Sequence, residues 1–133
     1  MRQIWSPEVR PFELNGKPVP GSAAVEVPAP RRWLFLSGQC SFRHGQFVGD
    51  GDIEVQVRQT LANVTSLLAA AGASTADVVK LMAWVTRPEH VSDYARIRTE
   101  YFTSTPPAST TVISDLVDPR LLIEVEAIAA INH

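Results

Sequence analysis

The sequence contains few side chains whose surroundings raise a chemical question. Glu124 and Glu126 lie within LLIEVEAIAAI, an otherwise apolar run from Leu121 to Ile131. Carboxylates are seldom buried without a partner, and residues two apart on a strand share a face. Taken alone, the pair is a solvated strand face or half of a structural ion pair with an arginine; a chemical role competes with both. Cys40 is the only cysteine. A thiol there is either a nucleophile, with His44 four residues on, or a small buried hydrophobe. Gly38, two residues before it, permits close approach of a ligand to the backbone, where neighbouring main-chain N–H groups could hold an anion. The three histidines, His44, His90 and His133, are scattered, and no HxxxH or HExxH spacing occurs. No metal site and no cofactor are expected.

These groups need elements to position them. The chain of 133 residues is long enough for one domain and one core, and residues 1–133 are read as a single domain. Its net charge of −2 gives no footprint for nucleic acid. No apolar run approaches a membrane span, and MRQIWSPEVRPF lacks the apolar centre of a signal peptide. With a single cysteine no internal disulfide can form, which fits a reducing, cytoplasmic location.

Prolines at 7, 11, 18, 20, 28 and 30 argue against an N-terminal helix and break that region into short extended pieces. LNGK, Leu14–Lys17, reads as a turn between strands. SAAVEV and RWLFLSG read as strands, the second so apolar that it is expected to be central. From Asp52 the period changes. Ile53, Val57, Leu61, Val64, Leu68 and Ala71 form one helical stripe, capped by Asp50 or Asp52 and closed by Gly72. Val78 to Val85 reads as a buried strand, and Val91 to Phe102 as a second amphipathic helix. Strands near Thr110–Ser114 and Leu121–Ile131 close the chain. The order predicts an α+β domain.

That order, with LFLSGQ (Leu34–Gln39), QTLANVTSLLAAAGASTADVVKLMAWV (Gln59–Val85) and PAST followed by LLIEVEAIA, resembles the Rid family of reactive-intermediate (imine and enamine) deaminases over about residues 20 to 131. The resemblance implies a chorismate-mutase-like fold: a six-stranded mixed sheet with two helices on one face. It implies a homotrimer with small-molecule sites in the clefts between subunits. Glu126 matches the glutamate that holds the attacking water in these deaminases, while Glu124 is expected to be structural. Cys40 and Gly38 would lie at the mouth of the cleft.

The sequence departs from the family at two ligand-holding positions. Ser109 stands where the deaminases carry an arginine that forks onto the substrate carboxylate. Gly21 stands where a tyrosine is expected. Turnover of enamines derived from amino acids such as serine is therefore expected to be weak. Arg98, on the second helix, is the candidate replacement cation; the competing reading is a surface arginine paired with Glu100 or Asp93. Trp84 is expected in the core or at a subunit interface. The functions left open are a C=N hydrolase, a non-catalytic metabolite-binding trimer, and a diverged biosynthetic enzyme on the same fold. Ribonuclease activity, reported for some relatives, is opposed by the acidic balance.

Overall fold

The computed structural model describes residues 1–133. Helix α1, Ile53–Ala70, begins where Asp52 leaves the helical region and its side chain accepts from the Val55 amide at 3.1 Å. Val57, Leu61, Val64 and Leu68 are buried along one stripe. The helix ends in a left-handed Gly72, with Gly72 N–H donating to Ala69 and Ala73 N–H to Leu68. Helix α2, Val91–Tyr101, buries Tyr94, Ile97 and Arg98.

Ten strands accompany the helices: β1 Arg2–Ile4, β2 Glu13–Leu14, β3 Lys17–Pro18, β4 Ala24–Glu26, β5 Arg32–Phe35, β6 Phe42–Arg43, β7 Gln46–Phe47, β8 Val78–Val85, β9 Ala108–Ile113 and β10 Ile123–Ile131. The main sheet runs β5-β10-β8-β9; only the β8–β9 pair is parallel. A single bridge from Ser22 to Ala108 ties the two-stranded β1–β4 ribbon to the β9 edge. Six strands thus contribute, as a continuous four plus a ribbon held at one point. The hairpin β2–β3 turns at Asn15 and Gly16, both at positive φ, as LNGK predicts. A second hairpin, β6–β7, turns at His44 and Gly45 and was not anticipated.

One expectation fails. β5 is not central but forms an edge, and β10 and β8 occupy the centre. Its continuous apolarity has another cause. Leu34 packs against the core, whereas Trp33 and Phe35, stacked at 6.4 Å, stand 51% and 71% exposed on the opposite side.

Both helices cover one face of the sheet. Leu81, Ala83 and Val85 of β8 and Ile123, Val125, Ala127 and Ala129 of β10 point into the core beneath them. The alternate residues point to the uncovered face. There Lys80, Met82 and Trp84 of β8 lie beside Ile128, Glu126 and Glu124 of β10.

Candidate functional site

The uncovered face gathers one group of the candidate residues. Glu124 pairs across the ladder with Trp84 and Glu126 with Met82, and both glutamates are half-buried. Neither has a cationic partner: every ion pair of the chain involves other carboxylates. The nearby Lys80 ammonium donates instead to Thr110 Oγ1 at 3.0 Å.

After β5 the chain crosses beside β10, bonded through reciprocal Gln39–Val125 main-chain hydrogen bonds. This sets Gly38 directly against Glu124. A Cβ added at Gly38 would lie 2.8 Å from the Glu124 carboxyl carbon. The close approach inferred for Gly38 is therefore made by the glutamate side chain. Cys40 Sγ lies 3.0 Å from Glu124 Oε1 and donates to it. Burial, that hydrogen bond and the charges of Glu124 and Asp118 push the thiol up to about 12. In this geometry Cys40 is a protonated donor that fixes Glu124; a thiolate nucleophile is disfavoured. His44 is exposed at its hairpin tip. Asn63 of α1 holds the Cys40 loop in place, donating to the carbonyls of Cys40 and Phe42 at 2.9 and 2.8 Å. A broad, open depression of about 660 Å³ lies beside Gly38, Cys40, Asn63 and Asp118.

The remaining candidates assemble elsewhere. Ser109 is in register with Leu81, so it faces the helix layer. Arg98 meets it there: Nη1 donates to Ser109 Oγ at 2.7 Å and Nη2 to the Pro20 carbonyl at 2.8 Å. The expected surface pairings of Arg98 do not form. Glu100 is held by Arg58 at 2.6 Å, and Asp93 lies 3.7 Å from Arg96. Gly21, Arg98 and Ser109 all line a cleft of about 520 Å³ between the N-terminal segment, α2 and β9. Within one chain the six candidates thus form two groups: Gly38, Cys40 and Glu126 on the uncovered face, and Gly21, Arg98 and Ser109 in the helix-side cleft. Trp84 lies half-buried on the uncovered face, next to Glu124.

Sequence reasoning missed Asn63 and the Cys40–Glu124 contact, which join positions 23 and 84 residues apart. It also missed Tyr94 as a cleft residue. The helical period reveals its burial but not that its hydroxyl lacks a partner.

A mixed sheet backed by two helices is also the fold of solved YjgF/Rid proteins. A family model described as endoribonuclease L-PSP matches residues 17–131, and the chain belongs to that family, known also as YjgF/Rid. A RutC family protein of Pyrococcus horikoshii is 35% identical over 119 residues, covering 85% of this chain and 89% of the relative. The Rid family protein YyfB of Yersinia pestis, titled a protein of unknown function, superposes with a TM-score of 0.84 at 32% identity, over 98% of both chains. The yeast protein YEO7 superposes with a TM-score of 0.70 at 26% identity, over 91% of both.

Proposed function

We propose that this protein hydrolyses C=N bonds of small imine or enamine metabolites, as a homotrimer in which the uncovered sheet face of one copy is closed by its neighbours. The observation that carries the reading is the pair Glu124 and Glu126 on that face, half-buried without any cation. A carboxylate paired with arginine has its oxygens engaged, whereas an unpaired one keeps them free to hydrogen-bond a water.

In the proposed reaction Glu126 holds a water and accepts its proton as the oxygen adds to the imine carbon. The C=N π electrons move to nitrogen, which takes the proton back from Glu126 to give a carbinolamine. Glu126 then takes the hydroxyl proton and passes it to nitrogen, the O–H electrons form the carbonyl as the C–N bond breaks, and ammonia leaves with the carboxylate regenerated. Glu124, locked by Gly38 and the Cys40 thiol, shapes the floor beside it. Apolar groups around the carboxylates, Trp33, Phe35, Met82, Trp84 and Val112, supply the surface a neighbouring copy would cover. Ser109 carries no charge, so any carboxylate on the substrate depends on another cation.

The family is described as an endoribonuclease, yet a net charge of −2 offers little attraction for a phosphate backbone. A protein that only binds a metabolite is the second reading, favoured by the uncharged Ser109. Ammonia release separates the readings. Purified protein is supplied with imines generated in situ by an amino-acid oxidase from alanine or leucine, and by an amine oxidase from simple primary amines. Acceleration of ammonia release with at least one class is expected; ligand binding without turnover would leave only the second reading.

A further inference from the structure

The charges on the uncovered sheet face limit what can bind there. Residues two apart on a strand stand about 7 Å apart on one side. Glu124 and Glu126, both half-buried, therefore repel each other, and each favours a cation nearby. Glu124 is held in place. Its carboxyl group fills the space a Cβ would take at Gly38, and its Oε1 accepts from the Cys40 thiol at 3.0 Å. The chain supplies neither glutamate with a cation. Lys80 shares the face, in register with Ile128, but its ammonium donates to Thr110 Oγ1 and forms no ion pair. Arg98 is 7% exposed on the helix side and donates to Ser109 and Pro20. Asp118, the charged residue of the adjoining depression, is matched by Arg120 at 2.7 Å and leaves the balance unchanged. The face thus carries two carboxylates against one ammonium.

Aromatic rings share the same face. Trp84 lies across the ladder from Glu124. Phe35 lies opposite Ile128, the next residue of β10 on that side after Glu126, and Trp33 stacks on Phe35 at 6.4 Å. Ring faces attract organic cations, and the attraction grows as water is excluded. Fixed carboxylates without a cation, beside aromatic rings, are complementary to an organic cation and repel an anion. Granting that this face is the hydrolytic site, we infer that its substrate is a small organic cation: an imine derived from a primary amine, bearing positive charge and no carboxylate. The alternative is that Lys80 leaves Thr110 and pairs with Glu126 once copies assemble, so that no charge preference remains.

Calorimetric titration of the full chain at neutral pH compares three ligands of one skeleton. They are 3-methylbutylamine, a cation; 3-methylbutan-1-ol, its neutral counterpart; and leucine, the same amine with a carboxylate added. The amine is expected to bind at least about tenfold more tightly than either of the others. Glu124→Gln keeps the volume and an acceptor for the Cys40 thiol but removes the charge. It is expected to weaken the amine about tenfold and leave the alcohol unchanged; if that variant fails to fold, the three ligands on the native chain still decide. No amine binding at millimolar concentration, equal affinity for amine and alcohol, leucine as tight as the amine, or unchanged amine affinity in Glu124→Gln would each overturn the inference. Turnover is the second arm: the imine generated from 3-methylbutylamine should be hydrolysed at least about tenfold faster than the one generated from leucine. The reverse order would overturn the inference and leave the hydrolysis standing. Selective amine binding with no turnover of either imine would uphold the charge preference and remove the hydrolysis.

Discussion

Two carboxylates on one strand have different surroundings. Glu124 accepts from Cys40 and lies on Gly38, whereas Glu126 makes no side-chain hydrogen bond and stands beside Met82. The Cys40 contact is open to a direct test. Its folded pKa lies above that of a free thiol, 9.0, because burial and Glu124 favour the neutral form. The stabilisation from this pairing is therefore fully present below about pH 9 and is lost as pH rises toward 12. Alkylation by iodoacetamide should stay slow through pH 9 and accelerate only beyond it. Glu124→Gln, which removes the charge but not the burial, should move that profile to lower pH. An ordinary thiol profile in the native chain would refute the Cys40–Glu124 contact. The alternation that puts both glutamates on one face is visible in IEVEAIA, because a strand's period is local. The partner of each glutamate is not visible, because Gly38 and Cys40 reach Glu124 only once the sheet has formed.

At the scale of elements, α1 was the most legible part of the chain. Its stripe, its Asp52 cap and its Gly72 stop are short-range signals, and all three are present. Gln56 escaped notice because it is a polar residue on the buried side. It donates to the carbonyls of Gly49 and Arg120, both at 2.9 Å, and accepts from the Leu122 amide at 2.8 Å, so α1 anchors the loop that leads into β10. Gln56→Ala removes three side-chain-to-main-chain hydrogen bonds and should cost about 3 kcal/mol, against about 1 kcal/mol for the exposed cap change Asp52→Ala. Urea denaturation of both variants checks the order; equal losses would mean that Gln56 is not the anchor. The position of β5 was illegible for a related reason. Its apolar run shows two apolar sides, but the strand pairings that set edge and centre are non-local. Arg98 and Ser109 are only 11 residues apart, yet the turn between α2 and β9 decides whether they meet.

For the whole molecule, the order of elements predicts an α+β fold, and the structure has one, with two helices and a mixed sheet. Composition cannot say what covers the second face of the sheet. Phe35 at 71% and Trp33 at 51% exposure beside Met82 and Trp84 form a surface unusual for a lone monomer. Light scattering should give about three times 14.6 kDa, and Phe35→Glu should reduce it to one. A native monomer at micromolar concentration would remove the proposed site between copies. The most direct measurement is the rate of ammonia release, from whichever imine class the wild-type protein turns over better, compared with the Glu126→Gln variant, with mass and melting temperature recorded on the same samples. The account predicts a loss of about a hundredfold or more with both physical properties unchanged. Equal rates in the two proteins, or no rate above the uncatalysed one in either, would contradict it.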